Sequence, residues 1–414
     1  MAEYHGAVSE SSMGIKIKSA RQWELAHGGA AVEWMRASGV AQRMLADICT
    51  AVDLTVDWLV RNDAERARRV VSEFPNVLNK CDSIEFDTVE QALAYLILHL
   101  PDRYTRAFQV LEWSLTNGLL PLGKNDGFAA IDIGAGPGPA IFAIRCFYAL
   151  LAHYVSLHDP SWSVATLSHS HVVERSKAMP WVMHHFAEAL VVTEQGRLRP
   201  AEAAVDPNPC ARELERSQTP FGANYGDFSV LDINEQHQRA RQRRARELYD
   251  DDSWELTRAE AYRIAYEEST DRPSGYALAV MMNFLTTNDA IPKFSLAIDK
   301  LMRGSLVPGG TILVFGATHG NYEDIYRELD RRARAAHLTV VSGLDKPIQA
   351  GARQEELATL STLTRAVWGK LETLAGDVGE TKRKLQHLRA SDIYDESKPY
   401  RLPEFRVRAY RRGK

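Results

Sequence analysis

The 414-residue chain has few cysteines, and none of them forms a closely spaced pair. Cys49, Cys81, Cys146 and Cys210 are far apart, without a C-x-x-C spacing. Structural zinc sites and disulfide frameworks are built from closely spaced cysteines, so neither a metal site nor a disulfide scaffold is expected. Reduced thiols are the simplest interpretation, and we therefore expect a cytoplasmic protein.

Long apolar runs and a strong net charge are also missing. No basic start precedes an apolar stretch, and nowhere do about 18 apolar residues follow one another, so neither a signal peptide nor a membrane span is expected. The formal net charge of −4 gives no overall attraction to nucleic acid. An RNA contact would need a local basic patch. The sequence does not indicate an oligomeric state.

The first part of the chain is predicted to be helical. Residues 1–14 are small and polar and are expected to be disordered. Over residues 15–120, apolar residues recur at spacings of three and four, which predicts an all-α N-terminal domain. The predicted helices include residues 34–48, 52–60, 89–100 and 104–115, with Pro101 ending the third.

Strand and helix signals alternate from residue 121 to residue 414, which is typical of a parallel sheet covered on both faces. The predicted strands are 129–133, 164–173, 276–282, 311–315, 338–342 and 405–410, with a weak one at 228–233. The predicted helices are 138–152, 176–190, 292–303 and 321–335. The expected fold class is α/β, a seven-stranded Rossmann-like sheet with helical insertions at 191–272 and 345–400.

A glycine-rich turn follows the first predicted strand. Residues 129–139 read AAIDIGAGPGP, so Asp132 ends a strand and Gly134, Gly136 and Gly138 lead into a helix. Alternate glycines let backbone amides approach a ligand closely, beside the positive end of a helix dipole. A dinucleotide fingerprint needs a small residue at position 139, where this chain has proline, so a nicotinamide or flavin site is disfavoured.

The spacing D-x-G-x-G-P-G resembles motif I of the class I S-adenosylmethionine-dependent methyltransferases, and the turn at 307–310 is a second similarity. The resemblance implies a methyltransferase sheet, S-adenosyl-L-methionine as cofactor, and methyl transfer to an acceptor. It also implies that Asp132 orients the amino group of the cofactor. The implied cradle for the methionine part consists of Gly134, Ala135, Gly136, Pro137 and Gly138. The acidic balance and the helical cap favour a small-molecule acceptor.

Further candidates follow the other strands. Glu174 comes after the second strand, where the resembled family uses an acid to bind the ribose hydroxyls; capping of the next helix is the alternative. For the adenine, Asp227 and Asp232 both qualify. Met282 and Asn283 close the fourth strand, from which the family reaches the methyl group. Met282 is thus a predicted cofactor contact, and Asn283 is either a catalytic residue or a turn residue.

A narrower resemblance, over roughly residues 90–335, is to the methyltransferase-like proteins associated with the small subunit of mitochondrial ribosomes and their bacterial relatives. Its motifs include Leu100-Pro101-x-x-Tyr104 and Glu174-Arg175-Ser176, but the cysteine cluster of that family is missing. The resemblance implies an RNA- or ribosome-directed enzyme, or a non-catalytic assembly factor, as the alternative function. Arginines at 239–246 and at 406–412 suit RNA contacts; a solvated helix with ion pairs is the alternative for the first group, and a frayed end for the second.

Residues 350–390 form one more predicted helical stretch, with its leucines on one side. In the resembled fold this connection opens at the carboxyl ends of the parallel strands, where ligands bind. The stretch is therefore a candidate lid or substrate wall.

Overall fold

A computed structural model of the chain describes residues 20–80, 84–122, 127–165, 167–176, 178–195, 222–224, 275–287, 289–317, 321–341, 354–375, 383 and 404–413. Four helices, called here the helical cap, precede the sheet: α1 (Ala20–Ala37), α2 (Val40–Asn62), α3 (Ala64–Lys80) and α4 (Val89–Thr116). The remaining elements are β1 (Phe128–Ile133), α5 (Pro139–His158), β2 (Leu167–Val173), α6 (Ala178–Gln195), β3 (Gly222–Asn224), β4 (Tyr276–Met282), α7 (Ala290–Lys300), β5 (Leu306–Ala317), α8 (Asn321–Ala335), β6 (Leu338–Val340), α9 (Gln354–Ala375) and β7 (Phe405–Arg412).

The described strands form one sheet in the order β3-β2-β1-β4-β5-β7-β6. Neighbours among β1 to β5 are parallel, whereas β7 runs antiparallel between β5 and β6. Every residue of β1 is buried, as expected for a parallel strand with helices on both faces. The sheet therefore confirms the predicted α/β class, and its arrangement is Rossmann-like.

Two hydrophobic clusters cover the two faces of the sheet. The smaller one joins α7 and α8 to strand residues such as Ile131 and Met281. The larger one joins the helical cap, α5, α6 and α9 to the other face, with Trp23, Phe142 and Val280 among its members. The cap and the sheet therefore share one apolar core.

Helix α5 is the one helix in the described ranges with the length and composition of a membrane span, with a mean hydropathy of 1.6. Its side chains from Pro139 to Tyr148 are buried, and the helix contacts α4 on one side and β2 on the other. Burial in the core of the protein accounts for this apolar composition.

Two helix boundaries differ from the sequence predictions. The helix predicted over 34–48 is broken at Gly39, whose φ of 69° lies in the left-handed region that interrupts a helix. The prediction that Pro101 ends a helix is wrong, because α4 continues through it. Most of α4 is buried, so the stabilisation from tertiary packing outweighs the loss of the one hydrogen bond that proline cannot donate. The Thr105 hydroxyl donates to the Pro101 carbonyl at 2.9 Å.

The turn predicted at 307–310 lies inside β5 instead of before it. The pairing of β5 with β4 is irregular after Tyr276. Gly309 has a φ of 81°, and a Cβ at Gly310 would lie 2.9 Å from the carbonyl oxygens of Tyr276 and Val307. The glycines therefore allow a bulge that keeps β5 close to β4.

The second insertion contributes α9, the described part of the predicted lid. This helix packs on α2, α3 and α4. The Lys370 Nζ lies 2.6 and 2.8 Å from the carboxylates of Asp53 and Asp57 in α2, and Gln109 of α4 donates to Glu356 at 3.1 Å. Leu360, Leu363 and Leu371 of α9 thus belong to the core of the cap, which favours a part in the cap over a lid for this helix.

Several predicted features lie outside the described residues. They are the segment 1–14, the strand 228–233 with Asp227 and Asp232, the arginines at 239–246, and the segments 196–221 and 225–272 of the first insertion.

Candidate functional site

The carboxyl ends of β1, β2 and β4 surround a cavity of about 370 Å³. The strand order reverses between β1 and β4, and open α/β sheets bind ligands at such switch points. The volume lies within the range typical of small-molecule sites, about 300 to 1,000 Å³. The cavity is lined by Ile84, Glu85, Phe86, Tyr95, Arg103, Gly134, Gly136, Val173, Glu174, Arg175, Met179, Asn283, Phe284, Thr286, Thr287, Asp289, Ala290, Lys293 and Phe294.

The glycine loop, residues 134–138, joins β1 to α5 and is held by hydrogen bonds within the protein. The N–H groups of Gly134 and Ala135 donate to the Val173 carbonyl at 2.8 and 3.3 Å, and the Gly138 N–H donates to the Ala135 carbonyl at 3.0 Å. The loop is therefore fixed against the end of β2.

Glu174 holds the centre of this loop. Its Oε2 accepts the Gly136 N–H at 2.8 Å, and its Oε1 accepts the Ser176 N–H at 3.0 Å. Burial raises the pKa of the Glu174 carboxyl, and these backbone hydrogen bonds oppose the rise. Since Pro137 has no N–H, every amide donor of the loop has an internal partner. The amides of residues 134–138 therefore offer a ligand no unpaired donor.

Helix α6 is capped by Ser176 and not by Glu174, for which capping was the alternative role. The Ser176 Oγ accepts the N–H groups of Ala178 and Met179 at 3.1 and 3.2 Å, as an N-cap residue does. The same hydroxyl donates to the Phe86 carbonyl at 2.6 Å, which ties α6 to the segment before α4. Glu174 consequently stays on the cavity wall.

Gly134, Gly136 and Gly138 all have a positive φ, of 69°, 55° and 85° respectively. The space available for a side chain differs among them. A Cβ at Gly134 would collide with the Phe284 ring, and one at Gly138 would lie 2.7 Å from a sulfur atom of α6. At Gly136 the nearest atom would be Tyr95 Cε1, at 3.4 Å. Packing therefore explains Gly134 and Gly138, whereas Gly136 lies between the cap and the cavity.

Asp132 lies behind the loop and is not among the lining residues. Its side chain is 1 % exposed and accepts a hydrogen bond from the Ile141 N–H at the start of α5. Burial raises the pKa of the Asp132 carboxyl to about 8, the charge of Glu174 adds to the rise, and the bond from Ile141 opposes it. Asp132 thus supports the loop and the helix start from beneath.

The cap forms the wall opposite the glycine loop. The Tyr95 ring, 7 % exposed, meets Phe86 edge-on with ring centroids 4.9 Å apart. The Arg103 guanidinium lies over the same ring, 4.5 Å from its centroid. Tyr95 also contacts His99, one helical turn along α4, with centroids 5.0 Å apart. The cap thus brings an aromatic ring and a cation to the loop.

The end of β4 and the start of α7 form the third wall. Asn283 lines the cavity with a φ of 50°, and its N–H donates to the Phe315 carbonyl at 2.9 Å. Met282, the predicted cofactor contact, is buried and is not among the lining residues. The next side chain, Phe284, packs on Phe294 of α7, with centroids 4.7 Å apart.

The charged lining residues are balanced in sign. Arg175 forms an ion pair with Glu85, and Lys293 lies over the Phe294 ring, 5.3 Å from its centroid. No group of three or more His, Cys, Asp or Glu side chains in the described ranges is placed to hold a metal ion.

Sequence reasoning missed most of the residues that face the glycine loop from elsewhere in the chain. Tyr95, Arg103 and Lys293 come from helices that the sequence does not connect with the loop. The spacing of Tyr95, His99 and Arg103 by four residues, which places them along one face of a helix, is the signal that could have drawn attention to α4.

The basic carboxyl-terminal segment is strand β7 and not a frayed end. Arg406 pairs with Glu323 at 3.2 Å, and the Arg408 guanidinium lies 5.3 Å from the Tyr326 ring centroid. Two further arginines, 411 and 412, donate to the main-chain carbonyls of residues 118 and 306. The arginines of this strand therefore make contacts within the protein.

Comparisons with known proteins give matches among solved structures only. No protein-family model matches the chain, and no curated protein matches its sequence. A structure of the [4+2]-cyclase SpnF is 12 % identical, covers 76 % of this chain and 82 % of its own, and gives a TM-score of 0.33.

Two further similar structures are described as methyltransferases. A putative methyltransferase from Haloferax volcanii, in complex with the Trm112 activator, is 12 % identical, covers 80 % of this chain and 96 % of its own, and has a TM-score of 0.34. Phosphoethanolamine N-methyltransferase 2 of Haemonchus contortus, bound to S-adenosylhomocysteine, is 11 % identical. The match covers 82 % of this chain and 61 % of that protein, with a TM-score of 0.36. Sequence identities and TM-scores this low assign no activity to this chain.

Proposed function

We propose that the protein is an S-adenosyl-L-methionine-dependent methyltransferase that acts on a small-molecule acceptor. One observation carries the proposal. The D-x-G-x-G-P-G turn lies at the switch point between β1 and β4, and it opens onto a cavity of small-molecule size.

The residues of the cavity fit this cofactor. Gly136 leaves room for a close approach of the ligand to the backbone, and Glu174 supplies a carboxylate for the ribose hydroxyls. The rings of Phe86 and Tyr95 offer apolar surface for the adenosyl part. When bound, the cofactor supplies a methyl group activated by a positively charged sulfur. Asp132 would keep the loop in place without contacting the ligand.

The acceptor would lie against the third wall, formed by the end of β4 and the start of α7. Methyl transfer depends mainly on in-line positioning, so this wall needs groups that orient the acceptor more than it needs a strong base. Asn283, Thr286 and Asp289 supply an amide, a hydroxyl and a carboxylate there. The backbone of Asn283 is held by β5, and we propose this side chain as the acceptor-orienting residue.

The RNA-directed alternative finds less support in the described residues. The arginines of β7 are engaged within the protein, as described above, and three of the four arginines of α8 pair with the neighbouring acids Asp324 and Glu328. The chain would therefore present few unpaired basic groups from these two elements to a phosphate backbone. Cys49 and Cys146 are buried and form no disulfide, which is in keeping with the cytoplasmic location that we also propose.

Calorimetric titration with S-adenosylmethionine and S-adenosylhomocysteine tests the proposal. The protein is expected to bind both ligands at one site. The variant Gly136→Val should bind at least about tenfold more weakly, because the new side chain projects between Tyr95 and the cavity.

The matched control is Gly39→Val. Gly39 has the same left-handed backbone, with a φ of 69°, but lies between α1 and α2, where a Cβ would have only the Arg43 guanidinium within 4 Å, at 3.8 Å. Both substitutions place a β-branched side chain at a positive φ, so the control shows how much of the effect comes from backbone strain alone. Absence of binding to the unmodified protein, or equal weakening in both variants, would contradict the proposed function.

A further inference from the structure

We propose that a groove between α2 and α6 is a second ligand site, which binds a small molecule through an alkylated ammonium group. The groove has a volume of about 260 Å³ and shares no lining residue with the cavity at the carboxyl ends of the strands. It is called here the aromatic groove and is lined by Leu54, Thr55, Trp58, His185, Glu188 and Ala189. The inference does not depend on the proposed function.

Two aromatic rings form the walls of the aromatic groove. Trp58 is 47 % exposed, more than any other tryptophan in the described residues. Its indole is nearly parallel to the His185 imidazole, with an angle of 21° between the rings and centroids 5.8 Å apart. The Trp181 ring meets the same imidazole edge-on, with centroids 4.0 Å apart, and so fixes its orientation. An exposed indole face attracts a cation within about 6 Å of its centroid, because the face carries partial negative charge.

The charges around the aromatic groove also favour a cation. Glu188 brings a carboxylate to the groove, with oxygens 3.3 Å from His184 Nε2 and 3.2 Å from His185 Nδ1. No lysine or arginine among the residues that the structure describes lines the groove. A bound cation would therefore meet an aromatic face and a carboxylate without a lysine or arginine to repel it.

An alkylated ammonium group fits the aromatic groove better than a primary one. A primary ammonium has three N–H donors, and each needs an acceptor once water is excluded. The Thr55 hydroxyl already donates to the Ala51 carbonyl at 2.8 Å, and the side chains of Leu54 and Ala189 are apolar. Carbon substituents in place of the N–H donors would contact the rings and the apolar side chains and leave no donor unpaired.

The test compares two probes of similar size, tetramethylammonium, which is charged, and tert-butanol, which is neutral. Their methyl protons are observed by nuclear magnetic resonance during titration of the whole chain at constant ionic strength. The unmodified protein should prefer tetramethylammonium by about 5- to 30-fold, the range for attraction between a cation and a partly desolvated aromatic face.

Trp58→Leu keeps apolar surface but removes the ring, so it should abolish this preference and leave the affinity for tert-butanol within about twofold. Trp34→Leu is the matched control and should keep the preference, because Trp34 also packs on two histidines, 153 and 158, but does not line the groove. Glu188→Gln should weaken binding of tetramethylammonium by about two- to fivefold and leave that of tert-butanol unchanged.

Several outcomes would overturn the inference. Equal affinity of the unmodified protein for the two probes, or no binding of either, would mean that the groove is not an ammonium site. A preference that survives Trp58→Leu, or that Trp34→Leu removes as well, would have the same meaning. If Trp58→Leu does not fold, Trp58→Phe takes its place. That variant should reduce the preference without abolishing it, because a phenyl face attracts a cation less strongly than an indole.

Discussion

Asp132 shows how one buried carboxyl can serve the loop without touching a ligand. It accepts the N–H of Ile141 while its other oxygen has no hydrogen-bond partner, and burial raises its pKa to about 8. The place of Asp132 at the end of a strand was predictable from the sequence, because the strand pattern and the glycines that follow it are local signals. Its place behind the loop was not predictable, since that depends on how α5 packs against β1.

We predict that Asp132 makes the protein less stable as pH rises. The pKa of the folded state is raised, so the stabilisation is fully present below the ordinary value of 3.8 and is lost as pH rises toward about 8. Asp132→Asn, which still accepts the Ile141 N–H, should reduce the slope of unfolding free energy against pH by up to ~1.4 kcal/mol per pH unit in that window.

Urea denaturation across this pH window measures the slope. Asp132→Ala serves as the comparison, because it loses the hydrogen bond and should be destabilised by about 1 to 3 kcal/mol. An unchanged slope in Asp132→Asn would show that Asp132 is ionised in the folded protein at neutral pH.

At the scale of elements, predictions from local pattern succeeded where the pattern itself decides the structure. Strand β4 and helix α8 have the predicted bounds. Helix α4 crosses Pro101 because its burial outweighs a local breaker, and that burial comes from residues far along the chain. Helices α4 and α7 also supply parts of the cavity wall. Their place in the site could not be predicted, because it too depends on packing between distant parts of the chain.

Helix α9 should act as part of the cap and not as a lid. Leu371 is fully buried among the cap helices, so Leu371→Ala should lower the free energy of unfolding by about 2 to 5 kcal/mol. The affinity for S-adenosylhomocysteine, measured by calorimetry well below the melting temperature, should stay within about twofold of the original.

Thr373→Ala, at an exposed position of the same helix, is the control and should change neither quantity by much. A tenfold loss of affinity in Leu371→Ala, without a comparable loss in Gly39→Val, would restore the lid interpretation.

At the scale of the whole molecule, the cap and the sheet are connected by more than the chain between them. They share the larger hydrophobic cluster, and Glu24 of α1 accepts the Leu120 N–H at 2.8 Å. Thr311 of β5 donates to the Leu119 carbonyl at 2.7 Å. Leu119 and Leu120, which follow the cap, are therefore held from both sides, which the sequence, interpreted as two successive domains, does not reveal.

This shared core predicts that the cap and the sheet unfold together. Far-ultraviolet circular dichroism reports the whole helix content, whereas tryptophan fluorescence reports tertiary packing, including the contacts that Trp23 and Trp34 of the cap make with residues outside it. The two signals should give one coincident transition in urea. Two separate transitions, the first of which removes only part of the ellipticity, would show that the cap unfolds independently.

Hydrogen exchange with and without S-adenosylhomocysteine shows where the ligand binds without altering the protein. The ligand should slow exchange at the amides of residues 134–138 and 174–176, and along α4 near Tyr95. Protection confined to other parts of the chain, or no protection at a saturating ligand concentration, would contradict the assignment of this cavity as a cofactor site.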